Sequence, residues 1–405
     1  MRMAASLRYW LFVQNVLGAG SVKLLPILER FGTARRFHDA DIDDIVASRL
    51  LNKSELERFK HYTLDECDAL IDYCIKHKYD IITPNDERYP KRLTHLIDPP
   101  AALFVRGDFP DFDDEVALAM VGTRKCSDHG KIIAEELSAQ LSSAGALIVS
   151  GGALGIDAAS HRGALKVGAR TVAVLGCGFD CNYLAENREL REEIADHGAL
   201  ISEYPPKTGV SKFNFPIRNR LISGLCLATI VVEAKAGSGS LITVDHALEQ
   251  GRDIFVIPGE VADPLYAGSN KLIRDGARAI VSAADVLYEY NDYYPHRINF
   301  NKYEEYISSD EDKSVERMSK KRAELIEDFE DRMSTACAQL GQSDASALSP
   351  NAKALYDAFK AASTDSFDVA ASHCSLSPDD AIAALTELEI FGLVSAIPGG
   401  RYSVQ

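Results

Sequence analysis

The chain has 405 residues, of which 46% are apolar, and carries a formal net charge of −16. That length suits two or three domains with a sizeable core. The acidic balance argues against indiscriminate binding to nucleic acid or anionic membrane, because the average field repels phosphates.

A run of eighteen apolar residues occurs nowhere in the chain, so no membrane span is expected and a soluble, cytoplasmic protein is. The eight cysteines contain no C-x-x-C pair and read as reduced thiols, with neither metal nor cofactor expected.

Over residues 5–80 apolar side chains recur at spacings of three and four, broken at LGAGS (17–21) and FGTA (31–34). This predicts a small helical domain over 1–80. A glycine turn between two helices resembles a helix-hairpin-helix or SAM-like unit, which grips a phosphate backbone through backbone N–H groups. Asp41, Asp43 and Asp44 make the nearby surface poor for DNA.

Segment 80–108 holds strand-like pieces punctuated by Pro90, Pro99 and Pro100, and reads as an irregular lead-in to the main domain. Strand and helix then alternate. Strands are predicted at 115–122, 146–152, 171–178, 199–205, 228–234, 253–259 and 277–281, and helices at 130–142, 156–168, 188–197, 219–226 and 240–251. Near-continuous apolar strands separated by helices mean a parallel sheet covered on both faces. The expected fold is a doubly wound, Rossmann-like α/β domain over 81–290. A charged stretch, 291–348, reads as a linker. Residues 349–405 give three short helices and two small strands around a PGG turn, the pattern of a winged helix, with Asp379, Asp380, Glu387 and Glu389 against DNA contact there.

Ligands of doubly wound sheets bind at the carboxyl ends of strands. Four such ends are unusual here: VGTRKCSDHG (121–130), SGGALGID (150–157), GCGFDCNY (176–183) and EAKAGSGSLIT (233–243). Glycine permits close backbone approach, and helix N-termini attract anions. Candidate anion-binding residues are therefore Gly122, Thr123, Arg124, Ser127, Gly151, Gly152, Lys235, Ser238, Gly239 and Ser240.

No G-x-G-x-x-G fingerprint, Walker A loop, G-x-S-x-G elbow or H-E-x-x-H pair occurs, so no catalytic residue is assigned. Asp157 is expected to cap its helix and His161 to pack. Between Glu203 and Glu233 nothing is acidic, while Lys207, Lys212, Arg218 and Arg220 are cationic. Within SKFNFPIRNR (211–220), Phe213 and Phe215 offer faces for unstacked bases, as on a single strand. The competing reading puts a ring in the core and pairs Arg218 or Arg220 with Glu203 or Glu233.

The order VGTRxxSxxG, SGxAxGID, GCGxD, SEYPP, FPxRNRLISGL, EAKxxSGSLIT and GRDIFVIPG…GSNKLIRDGA resembles the DNA-processing protein A family over about 80–290. The resemblance implies single-stranded DNA binding by a homodimer, delivery to the recombinase RecA in natural transformation, and no enzymatic activity. It sets Arg124, Lys212, Phe213, Phe215, Arg218, Asn219, Arg220 and the loop Lys235 to Ser240 on the DNA-facing edge. After GCG-x-D the family has Tyr-Pro and a basic residue. Here Tyr183 is followed by Leu184, Ala185 and Glu186, so a cation is missing at that corner and Arg188 is its substitute.

Two rival readings are weighed. The sheet and glycine loops also resemble nucleoside-monophosphate phosphoribohydrolases, whose P-G-G-x-G-T-x-x-E motif is not matched by AGSGSLITVDHALE. The other rival is a regulatory module that binds a dinucleotide.

Overall fold

The computed structural model describes residues 2–182, 185–309, 348–362, 366–374, 376–397 and 401–404. It divides into two compact units, Met1–Asp310 and Glu311–Gln405. Among the described residues no helix is long and apolar enough to cross a membrane.

The first unit begins with helices α1 (Arg2–Leu17), α2 (Leu24–Phe31), α3 (Ala34–His38), α4 (Ile42–Ser48), α5 (Lys53–His61) and α6 (Leu64–His77). Capping boxes at Asn52/Glu55 and Thr63/Glu66 start α5 and α6 by satisfying their first N–H groups. Between α1 and α2 the chain turns through Gly18 and Gly20, both at positive φ. The helices close over Trp10, Phe12, Ile27 and Phe37 and share that core with Phe104 of the sheet.

The sheet strands are β1 (Asp80–Ile82), β2 (Leu103–Gly107), β3 (Ala117–Val121), β4 (Leu147–Ser150), β5 (Thr171–Leu175), β6 (Ala199–Ser202), β7 (Ala228–Val231), β8 (Asp253–Val256) and β9 (Arg278–Ala279). Their order is β1-β2-β6-β5-β4-β3-β7-β8-β9. The doubly wound sheet read from the sequence is present, with one correction. Segment 80–108 is not merely an irregular lead-in: β2 pairs antiparallel with β6, and β1 with β2. With α7 (Lys91–Thr94) between them, these strands shield an edge that a purely parallel sheet would expose.

Helices α8 (Asp128–Ser143), α9 (Ile156–Lys166), α10 (Arg188–His197), α11 (Asn214–Gly224), α12 (Ser240–Glu249), α13 (Ala267–Arg274) and α14 (Ala284–Asn291) cover the sheet. Alternate residues of β3 face opposite ways. Ala117, Ala119 and Val121 meet Leu221, Ile222 and Val244 of α11 and α12, whereas Leu118 and Met120 meet Leu137, Ile156 and Val286 of α8, α9 and α14. Helix α11 starts five residues earlier than the sequence pattern suggested, because Pro216 falls in its first turn, where a missing N–H costs nothing. Residues 300–309 are helical (α15). Within the stretch read as a linker, Ile298 is buried and Phe300 and Tyr303 pack on the same core as α8. Residues 310–347 of that stretch lie outside the described residues.

The second unit contains α16 (Pro350–Ala362), α17 (Phe367–Ser372), α18 (Pro378–Ile390) and an antiparallel pair, β10 (Val394–Ile397) and β11 (Arg401–Val404). Leu355, Phe359 and Leu388 centre its core. The PGG turn expected at 398–400 lies outside the described residues.

His161 is fully buried, and its Nδ1 lies 2.8 Å from Thr171 Oγ1, whose own hydroxyl donates to Ile148 O. The ring is therefore the neutral Nδ1–H tautomer. Burial holds its pKa down at about 3. A depressed folded-state pKa gives stability that is complete above the unfolded value near 6.5 and is lost as pH falls towards 3. The melting temperature should fall between pH 6.5 and 5, by up to about 1.4 kcal/mol of stability per pH unit. His161→Gln should flatten that dependence, and a wild-type slope in the variant would remove His161 as its source.

Candidate nucleic-acid interface

Chain order reverses at β3: β4, β5 and β6 lie to one side of it, β7, β8 and β9 to the other. A cavity of about 630 Å³ opens there, lined by residues from the loops after β3 and β7 and by the facing sides of α11 and α12. This is where doubly wound sheets hold ligands.

The loop after β3 is pinned from both sides. Thr123 N donates to Glu233 O at 2.8 Å, and Thr123 O accepts from Ile156 N at 3.4 Å. Gly155, at φ 80°, is needed because any Cβ there would strike the Thr123 carbonyl. Gly122 and Thr123 thus form a fixed rim to the cavity, and Arg124 projects from it into solvent. The Arg124 guanidinium lies 5.1 Å from the Phe215 ring centroid. Lys125, not singled out from the sequence, also lines the cavity.

Ser127 is a correction. It was expected among anion-binding residues, but its hydroxyl donates to Glu233 Oε2 at 2.7 Å and accepts from Gly130 N at 2.8 Å. Its own N–H donates to Glu233 Oε1 at 3.1 Å. The anion at the α8 N-terminus is therefore the protein's own Glu233 carboxylate, which is fully buried. The α12 N-terminus differs: Lys235, Ser238, Gly239 and Ser240 all line the cavity, and the Ser238 and Ser240 hydroxyls lie 2.8 Å apart.

Gly151 and Gly152 are buried and line a smaller hollow beside the cavity. A Cβ on Gly151 would come within 2.7 Å of the Arg218 guanidinium and of an Asp157 carboxylate oxygen. The glycine thus makes room for Arg218. That arginine, 4% exposed, donates through Nη1 to Gly151 O at 2.7 Å and to Val174 O, and through Nε to Asn219 Oδ1 at 3.2 Å. It lines the cavity wall but braces the ends of β4 and β5, which corrects its expected place as a solvent-facing cation. Asp157 accepts from Ala153 N at 3.3 Å and so ties the glycine loop to α9. Burial raises its pKa against the pull of the Arg218 guanidinium.

Arg220 is the clearer correction. It is 2% exposed and pairs with Glu203 at 2.5 Å and with Asp98 at 3.1 Å, as the competing reading held. Gly20 N donates to the other Glu203 carboxylate oxygen at 3.1 Å, and Gln14 Nε2 donates to Glu203 O at 2.8 Å. The glycine turn read as a phosphate grip thus grips an internal carboxylate. Burial raises the Glu203 pKa and Arg220 opposes the rise.

The two rings part company. Phe215 lines the cavity with Lys212 and Asn219, its ring lying against Gly176. Phe213 is 68% exposed, outside the cavity lining, with Lys212 Nζ 5.1 Å from its ring centroid. Thr243, Ile222 and Ile242 complete the wall and were missed, because each reads as an ordinary helix residue. Tyr183 and Leu184, where the expected cation is missing, lie outside the described residues.

The family model described as DNA recombination-mediator protein A matches residues 80–291. The DNA processing protein DprA of Bacillus subtilis (strain 168) is 40% identical over 247 residues, covering 61% of this chain and 81% of its own. Its namesake from Streptococcus pneumoniae is 43% identical over 205 residues, covering 51% of this chain and 72% of its own. The X-ray structure of DNA processing protein A from Streptococcus pneumoniae aligns with a TM-score of 0.62 at 36% identity, covering 70% of this chain and 97% of that one.

Two arginines, Arg220 buried and Arg124 exposed, should behave oppositely. Arg220→Ala leaves Glu203 and Asp98 buried without their cation, so stability should drop by about 3–5 kcal/mol. Arg124→Ala removes an exposed side chain and should shift stability by at most about 0.5 kcal/mol. Denaturant unfolding of both variants checks this, and equal stabilities would contradict the division into brace and surface.

Proposed function

The chain belongs to the DNA recombination-mediator protein A family, and from that premise we propose that it binds single-stranded DNA irrespective of sequence at the switch-point cavity and hands the strand to a RecA recombinase in natural transformation and recombination. One observation carries the binding half. Arg124, Lys125, Lys212 and Lys235 converge on one cavity, and none of them forms an ion pair among the described residues. In a chain of net charge −16, such cations are available to phosphates.

The other features fit a flexible strand. The α12 N-terminus adds backbone donors beside Lys235. The exposed Phe213 ring offers a stacking face, which bases buried in a duplex cannot reach. The volume lies within the usual range for small-ligand sites, roughly 300–1,000 Å³, and so admits part of a strand. Membership of a recombination-mediator family supports the delivery half of the proposal. A homodimer would present two such cavities to one strand and raise the effective affinity.

Gel shifts with single- and double-stranded oligonucleotides at two salt concentrations test the binding half. Single strands should be preferred, and equal affinity at physiological salt would overturn the reading. Arg124→Ala or Lys235→Ala should flatten the plot of log affinity against log salt by roughly 0.7 for each phosphate left unneutralised. Phe213→Ala should weaken binding by about 1–3 kcal/mol at every salt concentration with the slope unchanged, since stacking releases no counterions. Delivery is read as faster RecA filament formation on single strands precoated with a single-strand-binding protein. No acceleration would leave a binder without mediator activity.

A further inference from the structure

The turn between α1 and α2 presses on the back of the helix that forms one wall of the cavity. Gly20 N and Gln14 Nε2 hold Glu203, which pairs with Arg220 of α11. Beside that pair the turn meets α11 directly. A Cβ on Gly20 would lie 2.6 Å from Ile217 Cγ2, closer than side chains can approach. Gly20 also sits at φ 70°, a conformation that glycine adopts without strain. The turn and the helix are therefore as close as their backbones allow, and only glycine fits between them.

Ile217 lies outside the cavity lining, but its neighbours Phe215, Pro216, Arg218 and Asn219 all belong to it. Its Cγ2 is bonded to Cβ, and a β-branched side chain in a helix keeps essentially one χ1 rotamer. Pressure from the turn is therefore taken by the helix as a body and not by a swinging side chain. A close-packed interior passes such a displacement on. Helix α11 is also tied to α12: His246 Nε2 donates to Pro216 O at 3.3 Å, and Gln250 Nε2 donates to Arg220 O at 2.9 Å. The loop that opens α12 carries Lys235, Ser238 and Gly239 into the same cavity. A shift of the N-terminal turn thus reaches two walls of the cavity without touching either.

We propose that Gly20 is a positioning residue for the strand site: the turn of the N-terminal helices acts as a stop against Ile217, sets where α11 stands, and so sets the width of the cavity. This rests on the single-strand reading above and gives the N-terminal helices a part in it, although their glycine turn contacts protein and not phosphate.

The full-length chain tests it with Gly20→Ala and the double variant Gly20→Ala/Ile217→Ala. Circular dichroism first establishes that each is folded at the assay temperature. With an oligothymidine of about 15 nucleotides, Gly20→Ala should bind at least about fivefold more weakly than the wild type. Ile217→Ala removes Cγ2 and leaves the Ile217 Cβ position 3.6 Å from the new methyl group, an ordinary contact. The double variant should therefore regain wild-type affinity to within about twofold. A purely structural role for Gly20 predicts a lower melting temperature with unaltered affinity of the folded protein. That outcome, or a loss of affinity that Ile217→Ala fails to rescue, would overturn the proposal. Should Gly20→Ala not fold, Ile217→Phe applies the same pressure from the helix side, and wild-type affinity there would overturn it equally. Arg124→Ala separates the two levels. If it weakens binding while Gly20→Ala does not, only the positioning role fails. If the wild-type chain does not bind the oligothymidine, the strand reading fails and the positioning role with it.

Discussion

The buried cluster of Arg220, Glu203 and Asp98 fixes more of this molecule than any other contact. Ionised groups removed from water are costly unless paired, and here the pairing draws on distant parts of the chain. Arg220 comes from α11, Glu203 from the end of β6 and Asp98 from the segment before β2. Gly20 and Gln14 bring the N-terminal helices to the same carboxylate. A helix whose arginine must meet two fixed acids has one acceptable rotation. That rotation turns Phe215, Arg218, Asn219 and Ile222 towards the cavity, positions spaced i, i+3, i+4 and i+7 along one face. The opposite side meets the N-terminal turn so closely that a Cβ on Gly20 would lie 2.6 Å from Ile217.

A second carboxylate settles which helix end stays open. Helices α8, α9 and α12 all begin at the carboxyl edge, and each N-terminus carries a partial positive charge. Glu233 occupies that of α8 through Ser127. At α9, Ile156 N is turned to the Thr123 carbonyl. At α12 the opening loop lines the cavity with Lys235, Ser238, Gly239 and Ser240, and no protein carboxylate is hydrogen-bonded to its first N–H groups among the described residues.

The fold was legible because it rests on burial. Strands such as ALAMV, buried on both faces, can hardly be read otherwise. The site was legible as an edge and a set of loops, but not as individual roles. Reading α11 from Asn219 hid the i, i+3, i+4, i+7 stripe that begins at Phe215, and with it the distinction between Arg218 and Arg220. Both arginines sit beside Asn219 in sequence; one braces two strand ends and the other is locked to acids distant in sequence. Local pattern offered Glu203 or Glu233 to either arginine without choosing between them and did not offer Asp98, because these acids become neighbours of Arg220 only in the folded chain. Ser127 misled for the same reason: its partner, Glu233, lies 106 residues away.

An acidic protein can still present a cationic edge, and the reason is one of range. At physiological ionic strength the Debye length is about 8 Å, so exposed charges farther away scarcely alter the potential in the cavity. Many of the remote acids are also neutralised in pairs, such as Asp68 with Arg8, Glu192 with Arg106 and Asp114 with Arg297. The nearest acids are held by partners: Glu233 accepts three hydrogen bonds from Ser127, and Asp157 lies against Arg218, whose pull opposes its raised pKa. What a phosphate meets locally is Arg124, Lys125, Lys212 and Lys235. The net charge still acts at longer distances in dilute buffer, where the Debye length grows to about 30 Å at 0.01 M. Local attraction and global repulsion therefore weigh differently as salt changes. Moderate salt screens the unfavourable far field first and spares short-range contacts inside the cavity, which under the proposed function confines attraction for nucleic acid to this edge.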